Sequence, residues 1–479
     1  MELKKLLENG KTIYFIGIKG TGMCAFAELM LAGGGKVLGS DRGEVFYTDR
    51  ILDDLGILCY PSFDADHVKD DFALVIHSAA YDAETNPEIA EALRRGLPVL
   101  KYTDALGLYS ELFDSSGIAG VHGKTTTTAM AGALARGVSL PVQVLAGSAV
   151  GSFGGHSTLS LGNKYFIAET CEYRRHFLSF RPKRIVLTSV ESDHQDYYPG
   201  YESIRDAFLE YCRLLPPGGE LIYCADDPGA VEVVSTLEKE WRPLTLIPYG
   251  FNAAGEFRIT NYTVKNERAE MSIEGFPGSM TLRLPGRHMA SDATAALALV
   301  SSLVKAEYGG WNGHRREEAG KALEEFRGLK RREEIIGEAG GILFMDDYGH
   351  HPTAIAATLE GLREFYPDRR IVASFMSHTY SRTAALLDDF AASFKNADLV
   401  FLHKIYGSAR EHYSGGVDGR VLYEKTASLR DGVIYAEEPL DAVEALKAML
   451  KEGDLFITMG AGNNWILGEE LYGYFRKKR

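Results

Sequence analysis

The chain contains little cysteine: its 479 residues include five, and no two of them form a Cys-x-x-Cys pair. The odd number and this spacing argue against a disulfide framework and against a zinc ribbon. The sequence also lacks a run of roughly 18 apolar residues, the length that a membrane-spanning helix needs. Its N-terminal residues lack the uninterrupted apolar stretch of a secretory signal. We therefore expect a cytoplasmic protein without membrane insertion.

The chain also has fewer basic than acidic residues. Lysine and arginine number 52 against 66 aspartate and glutamate residues, which gives a formal net charge of −14. This balance argues against a nucleic-acid partner, because binding to phosphate backbones calls for a basic surface. The sequence has no short-period repeat and no low-complexity tract. At about 100–200 residues per domain the length predicts three domains, and we expect an enzyme.

Short apolar runs alternate with helical patterns along the whole chain, which is typical of α/β units on parallel sheets. The clearest runs are predicted as strands: Thr12–Ile16, Gly117–Gly120, Tyr165–Ala168, Arg184–Thr188, Ile342–Met345 and Leu455–Met459. Residues 257–284 have a more antiparallel pattern. We predict an N-terminal Rossmann-like domain at residues 1–106, a central domain with a mostly parallel sheet like that of P-loop ATPases at 107–326, and a C-terminal Rossmann-like domain at 327–479.

The first predicted strand leads directly into the loop Gly17-Ile-Lys-Gly-Thr-Gly-Met23. Glycines let backbone amides approach a phosphate closely, and the helix that follows would direct its N-terminus at the anion. Asp41 closes the second strand, near the position of a ribose-binding acid in dinucleotide-binding domains. The loop therefore predicts a nucleotide phosphate site, and by itself it leaves a nicotinamide or flavin enzyme open.

A second glycine loop, Gly120-Val-His-Gly-Lys-Thr-Thr-Thr-Thr128, lies between an apolar strand and an alanine-rich helix. In such a loop the backbone amides surround the phosphates, Lys124 bridges the β- and γ-phosphates, and the Thr125 hydroxyl coordinates Mg²⁺. The complete G-x-x-x-x-G-K-[ST] spacing is not met, because Ile118 occupies the leading glycine position. The placement of the loop nevertheless predicts nucleotide binding.

Several further motifs follow in order along the chain: Glu169-Thr-Cys-Glu-Tyr-Arg-Arg-His-Phe-Leu178, Asp193-His194, Leu284-Pro-Gly-Arg-His288, Gly328-Leu-Lys-Arg-Arg332, Asp346-Asp-Tyr-Gly-His-His-Pro352 and His378-Thr-Tyr-Ser-Arg-Thr383. Together with the two glycine loops, they resemble the motifs of the Mur ligases, which build the peptide stem of bacterial cell-wall precursors. The motifs lie in all three predicted domains, so the resemblance covers essentially the whole chain.

The resemblance implies an ATP- and Mg²⁺-dependent carboxylate–amine ligase. The first loop is similar to that of the branch that joins L-alanine to the lactyl carboxylate of UDP-N-acetylmuramate. In this branch the carboxylate is first phosphorylated by ATP, and the alanine amine then displaces phosphate from the acyl phosphate. The expected partners are therefore UDP-N-acetylmuramate, L-alanine and ATP.

The resemblance also implies the site residues. The implied catalytic residues are Lys124, Glu169, His194 and His351, and the implied Mg²⁺ ligands are Thr125, Glu169 and His194. The implied ATP-binding residues are Gly120, Val121, His122, Gly123, Lys124, Thr125, Thr126, His288, Asp292, Arg327 and Asp347. The implied residues for the UDP-substrate are Gly17, Gly20, Thr21, Gly22, Asp41 and Ser78. The implied residues for the amino acid are Tyr348, His351, His378 and Arg382. Glu172 is a further metal candidate of lower rank.

The sequence departs from the family pattern after the Gly-x-His motif. The family usually carries asparagines there that position the adenine, whereas this chain has Met289 and Asp292. An ionised Asp292 can accept a hydrogen bond from the adenine amino group but cannot donate one to a ring nitrogen. Phe208 occupies the place of the carbamoylated lysine of other branches, which the alanine-adding branch typically lacks too.

Three alternatives stay open. A murein-recycling ligase attaches a recovered tripeptide to the same nucleotide and differs only in its acceptor pocket. A folate-polyglutamating or cyanophycin-forming ligase is less compatible with the first loop. A degenerate ATP-binding regulatory module is favoured by Met289 and Asp292, whereas the intact Lys124, Glu169 and His194 favour an enzyme.

Overall fold

The computed structural model describes residues 3–240, 242–407, 411, 413 and 415–478. Two compact units are present. The first consists of Met1–Val190, Arg205–Ala253 and Ala295–Ala322, and the second of Glu191–Ile204, Ala254–Thr294 and Leu323–Arg479. The domain boundaries after residues 106 and 326 stay predictions.

The first unit begins with an all-parallel sheet in the order β3-β2-β1-β4-β5. Its strands are β1 (Thr12–Ile16), β2 (Lys36–Ser40), β3 (Leu58–Tyr60), β4 (Leu74–His77) and β5 (Val99–Lys101). The accompanying helices are α1 (Leu3–Glu8), α2 (Thr21–Ala32), α3 (Tyr47–Asp54), α4 (Pro87–Arg94) and α5 (Tyr102–Ser110), with a 3₁₀ turn at Ala65–His67. This is the predicted Rossmann-like arrangement.

The second sheet of the same unit is parallel except for its edge pair β7–β8, in the order β12-β11-β10-β6-β9-β7-β8. Its strands are β6 (Asp114–Ala119), β7 (Val142–Val150), β8 (His156–Ser160), β9 (Tyr165–Glu169), β10 (Arg184–Leu187), β11 (Glu220–Cys224) and β12 (Thr245–Gly250). The helices between these strands are α6 (Lys124–Gly137), α7 (Tyr201–Cys212) and α8 (Pro228–Lys239), with 3₁₀ segments at Gly151–Phe153 and Tyr173–Ser179.

The second unit holds an antiparallel ribbon and a third sheet. The ribbon consists of β13 (Phe257–Val264), β14 (Ala269–Ile273) and β15 (Phe276–Leu282), which confirms the predicted antiparallel stretch. The strands of the third sheet are β16 (Glu334–Ala339), β17 (Ile342–Asp347), β18 (Arg370–Met376), β19 (Leu399–Leu402), β20 (Val433–Tyr435) and β21 (Asp454–Gly460). Their order in the sheet is β16-β17-β21-β18-β19-β20, and all of them are parallel except β16, which is antiparallel to β17.

The remaining helices complete the chain. They are α9 (Arg287–Tyr308), α10 (Gly313–Glu325), α11 (Pro352–Phe365), α12 (Tyr380–Ala385), α13 (Leu387–Ala392), α14 (Gly419–Leu429), α15 (Val443–Met449) and α16 (Trp465–Lys477), with a 3₁₀ turn at Pro439–Ala442. Strands such as β4, β10 and β21 are buried along their whole length. Parallel strands covered on both faces have continuous apolar sequences, which is why the apolar runs located them. The predicted α/β class with mostly parallel sheets is confirmed.

Within the described residues, α9 is long and apolar enough to cross a membrane, with a mean hydropathy of 1.2 over its most apolar window. However, 72% of that window is buried inside the protein. A buried core helix meets the same criteria of length and composition, so this finding carries no membrane assignment.

We expect Gly117→Ala on β6 to destabilise the protein by about 1–3 kcal/mol, the cost of overpacking a core. A Cβ at Gly117 would lie 2.1 Å from the Tyr211 hydroxyl oxygen, and the Tyr211 ring is itself held by stacking on Phe177 at 4.4 Å. Thermal melting followed by circular dichroism would measure the effect. Gly320→Ala on α10 is the matched control, because open space surrounds that position. Equal melting temperatures for Gly117→Ala and the wild type would contradict the packing.

Candidate active site

The first glycine loop is shaped by the ends of the first sheet. Gly17 has a φ of 81° and donates its backbone N–H to the Ser40 carbonyl at 2.8 Å. A Cβ at Gly17 would lie 3.0 Å from the Ser78 Cβ, so a larger residue does not fit there without a shift. The Asp41 carboxylate accepts the Lys19 N–H at 2.7 Å. The structure therefore brings Gly17, Asp41 and Ser78 together around the start of α2.

Lys19 is a residue of this loop that the sequence analysis missed. Its side chain is buried, its Nζ lies 2.8 Å from an Asp49 carboxylate oxygen, and it also donates to the Glu44 carbonyl at 2.9 Å. Burial lowers the pKa of Lys19, but the hydrogen bond and charge of Asp49 outweigh burial and raise it. The cation therefore stays charged and ties the loop to α3. A lysine inside a glycine-rich loop was the available signal.

The second glycine loop connects β6 to α6 with two glycines at positive φ, Gly120 at 146° and Gly123 at 77°. A Cβ at Gly120 would lie 2.0 Å from the Thr188 hydroxyl, which requires glycine there. The Val121 N–H donates to the Ser189 carbonyl at 3.1 Å, so this amide is bonded within the protein. The loop ends at the N-terminus of α6, the end of a helix whose backbone amides attract anions.

Lys124 is the first residue of α6, and a buried carboxylate holds its side chain. Its Nζ lies 2.9 Å from one Glu172 oxygen and 3.2 Å from the other, and it donates to the Gly120 and Val121 carbonyls. Burial lowers the pKa of Lys124, while the charge of Glu172 and smaller contributions from Cys171 and Glu169 raise it above its usual value. Glu172 is thus the direct partner of the lysine, a role that sequence spacing did not reveal.

Glu169 lies at the carboxyl end of β9, where α/β sheets place ligand groups. One of its oxygens accepts the Gly147 N–H at 2.8 Å, and a Cβ at Gly147 would come within 2.5 Å of the same oxygen. The carboxylate is therefore held by a backbone amide in the carboxyl-terminal half of the neighbouring strand β7. Thr125 is buried in the first turn of α6. Both side chains offer oxygen donors, which Mg²⁺ prefers, so the donor chemistry in this unit fits the implied metal.

In the second unit, Asp193 and Arg382 form a buried ion pair. Nε and Nη2 of Arg382 both lie 2.7 Å from one Asp193 carboxylate oxygen, and the two side chains are 4% and 5% exposed. Nη1 of Arg382 donates to the His378 carbonyl. Burial raises the pKa of Asp193, but the charge of Arg382 outweighs it and holds the pKa far below its usual value. Arg382 is thus held by contacts within the protein, and its Nη1 also lies 3.5 Å from Nδ1 of His378.

The residues that the resemblance implies for the amino acid lie at the carboxyl ends of β17 and β18. Tyr348 and His350 follow β17, and His378 follows β18, with its ring 6.0 Å from that of His350. Burial, and then the charge of Arg382, lower the pKa of His350 well below its usual value, so this imidazole is neutral. The third sheet therefore assembles a cluster of histidine and arginine side chains.

His351 begins α11 as its N-cap residue. Its Nδ1 accepts the Thr353 N–H at 3.4 Å, and its Nε2 lies 3.2 Å from the Ser192 carbonyl oxygen. This pattern favours the tautomer with hydrogen on Nε2. His194 has a φ of 54°, and its backbone N–H donates to its neighbour Asp193 at 2.7 Å. Both histidines thus lie on segments that polar contacts fix within this unit.

Two of the nucleotide residues implied in the second unit, His288 and Asp347, contact Glu333. Nε2 of His288 lies 2.9 Å from a Glu333 oxygen, and the Glu333 N–H donates to Asp347 at 2.9 Å. Burial lowers the pKa of His288, but the charge of Glu333 and its hydrogen bond outweigh burial, so the pKa is raised. Asp292 is buried, whereas Arg327 is exposed and donates to the Glu324 carbonyl.

Met289 has a side chain that is 4% exposed. It lies in the first turn of α9, two positions after the helix begins. The effect of Met289 on the adenine contact stays a prediction.

Three family models match successive parts of the chain. The catalytic domain of the Mur ligase family matches residues 12–114, the Mur ligase middle domain matches 118–300, and the Mur ligase glutamate ligase domain matches 331–462. The three matches follow the order of the three sheets.

Curated relatives match over nearly the full length. The UDP-N-acetylmuramate–L-alanine ligase of Treponema pallidum is 52% identical over 470 residues, which cover 98% of each chain. That of Borreliella afzelii is 37% identical over 473 residues, covering 98% of this chain and all of that one.

Two solved structures are similar. The UDP-N-acetylmuramate–alanine ligase of Thermotoga maritima has a TM-score of 0.77 and 25% identity, and the match covers 98% of this chain and 100% of that chain. A murein peptide ligase of Psychrobacter arcticus has a TM-score of 0.66 and 22% identity, covering 97% of this chain and 99% of that one, and it supports the fold alone.

Proposed function

This chain belongs to the Mur ligase family, and from that premise we infer that it is an ATP-dependent ligase joining L-alanine to UDP-N-acetylmuramate in peptidoglycan precursor synthesis. The observation that carries this conclusion is the 52% identity, over 98% of both chains, to a ligase of that name. The recycling alternative is not favoured, because the similar murein peptide ligase, at 22% identity, supports the fold alone.

The reaction requires activation, because a carboxylate is a poor acylating agent. The lactyl carboxylate attacks the γ-phosphorus of ATP in line, the bond to the β–γ bridging oxygen breaks, and an acyl phosphate and ADP form. The alanine amine then attacks the acyl carbon, loses a proton and expels phosphate as the amide forms. Catalysis of phosphoryl transfer depends mainly on positioning and on neutralising charge.

Lys124 and the amides at the start of α6 supply these two functions on the nucleotide side. A lysine bridging the phosphates stabilises the negative charge that develops on the transferred group. In the structure Glu172 holds this lysine at the mouth of the loop. We assign Gly120, Val121, His122, Gly123, Lys124, Thr125 and Thr126 to the ATP phosphates, and His288, Asp292, Arg327 and Asp347 to the rest of the nucleotide.

We assign Thr125, Glu169 and His194 as the residues that hold Mg²⁺. The hydroxyl of Thr125 and the carboxylate of Glu169 support this assignment through their donor chemistry and their places at a helix N-terminus and a strand end. Bound Mg²⁺ would neutralise charge on the phosphates and on the lactyl carboxylate.

The other substrates are assigned to the ends of the first and third sheets. We propose that Gly17, Gly20, Thr21, Gly22, Asp41 and Ser78 bind the UDP moiety, and that Tyr348, His351, His378 and Arg382 face the incoming alanine. For His351 to accept the ammonium proton, its Nδ1 would exchange the bond to Thr353 for the proton. We further propose the three domains at residues 1–106, 107–326 and 327–479, and a cytoplasmic site of action.

The test is the formation of ADP and of the ligated product by the purified protein with Mg-ATP and UDP-N-acetylmuramate. L-Alanine, glycine, L-serine and the tripeptide L-Ala-γ-D-Glu-meso-diaminopimelate are supplied in separate reactions. We expect turnover with L-alanine and weaker turnover with glycine, since one missing methyl group is worth only about 1–3 kcal/mol of discrimination. Turnover with the tripeptide alone would identify a recycling ligase, and ATP binding without any ligation would identify a regulatory module.

A further inference from the structure

Tyr102 has no role in the assignments above, yet it stands next to two of the predicted sites. It is the first residue of α5 and directly follows the carboxyl end of β5. Parallel sheets bind their ligands at this end of the strands. The Tyr102 ring packs edge-on against Phe26 of α2, with ring centres 5.8 Å apart. The ring is therefore held in one place by the helix that follows the first glycine loop.

The hydroxyl end of the ring lies against the first turn of α2. A Cβ at Gly22 would be 3.1 Å from the Tyr102 oxygen and 3.2 Å from the carbon that bears it. Gly22 belongs to the loop assigned to the UDP moiety. Glycine at this position therefore leaves room for the tyrosine hydroxyl beside the anion-binding end of α2.

The environment of this hydroxyl also affects its pKa. Burial raises the pKa of Tyr102, and the carboxylate of Glu169 and the thiol group of Cys171 raise it further. The phenol consequently stays protonated and remains a hydrogen-bond donor. Among the residues that the structure describes, none forms a hydrogen bond with this hydroxyl.

The substrate has to reach both of these places. Its diphosphate belongs at the first loop, and its lactyl carboxylate must meet the γ-phosphate beside Lys124 and Glu169. The Tyr102 hydroxyl lies beside Gly22, and its helix α5 contacts the segment that follows Glu169, where the Ser179 hydroxyl donates to Asp104 at 3.1 Å. A substrate that joins the two places therefore passes near this donor. We propose that the Tyr102 hydroxyl binds the muramoyl end of the UDP-substrate by donating a hydrogen bond to its lactyl carboxylate. This inference rests on the proposed function.

The test compares Tyr102→Phe with the wild type, because this change removes the hydroxyl and keeps the ring on Phe26. Calorimetry measures the Kd of UDP-N-acetylmuramate and, separately, of UDP, which lacks the muramoyl group. A hydrogen bond to a charged group predicts a rise of about 10-fold or more in the Kd of UDP-N-acetylmuramate. The Kd of UDP and the KM of ATP should stay unchanged.

Tyr308→Phe is the matched control. The Tyr308 hydroxyl donates to the Ser139 carbonyl at 2.6 Å, so its loss also removes one phenolic hydrogen bond. We expect both Kd values of this variant to equal those of the wild type.

Two results for Tyr102→Phe would overturn the proposal. Unchanged Kd values for both ligands would leave Tyr102 as a packing residue. An equal rise for UDP and UDP-N-acetylmuramate would move the contact to the diphosphate. Failure of the proposed function has a different signature, since the wild type itself would then form no ADP with UDP-N-acetylmuramate and L-alanine.

Discussion

Replacing Lys124 with alanine is expected to reduce ligation by about 1,000-fold or more, the upper range for removing a single group that stabilises transition-state charge. The Nζ of Lys124 is a cation at the end of the second glycine loop, and it lies 2.9 Å from a carboxylate oxygen of Glu172. Without it, the transferred phosphoryl group would lose the cation that we assign to it. Steady-state release of ADP in the presence of all three substrates measures the loss.

The control for this experiment is Lys321→Ala on α10. Lys321 is 52% exposed and pairs with Glu317 and Glu318 on the same helix, so its removal should leave turnover unchanged. Because Lys124→Ala also removes the cation that pairs with the buried Glu172, melting temperatures of both variants are needed to separate lost catalysis from lost folding. Appreciable ligation by a folded Lys124→Ala protein would show that the assignment of the ATP loop is wrong.

Asp193→Ala should be the most destabilising single change at the candidate site, costing about 3–5 kcal/mol. It removes the partner of Arg382, whose side chain is 4% exposed, and leaves a buried cation without its counter-ion. For a chain of 479 residues we expect this loss to lower the melting temperature by about 3–5 °C. Differential scanning calorimetry of the full chain measures the shift.

Two further variants show whether burial causes this effect. Asp388→Ala removes an acid that is 81% exposed from its pair with Lys425, and exposed pairs contribute less than about 1 kcal/mol. The double change Asp193→Ala with Arg382→Met removes both charges and should recover much of the lost stability. A melting temperature for Asp193→Ala equal to that of Asp388→Ala would contradict a buried, tightly coupled pair.

Much of the fold could be predicted from the sequence. Apolar runs located strands such as β1 at Thr12–Ile16 within the limits that the structure gives them. The two glycine loops were identifiable because strand, loop and helix are adjacent in the chain. The positive φ angles at Gly17, Gly120 and Gly123 are conformations that glycine adopts readily, which explains why glycine occurs there. Motif order indicated the family because it depends on the chain alone.

The partners of the charged side chains could not be predicted in this way. Lys124 meets Glu172 across 48 positions, and Arg382 meets Asp193 across 189. These pairs depend on which strands are neighbours and on where each loop leaves its sheet. Sequence patterns do not encode that order directly.

The burial of individual side chains near the candidate site was equally beyond the sequence. Met289 is buried in the first turn of α9, and Arg382 is enclosed with its counter-ion. The sequence by itself determined the α/β class, the two glycine loops and the family, because these depend on residues close together in the chain. Only the tertiary structure decided which acid holds Lys124, which acid neutralises Arg382 and where the Tyr102 hydroxyl lies. Packing between segments that are distant in the chain sets the distances between these groups and their solvent exposure, and no local pattern of residues contains that information.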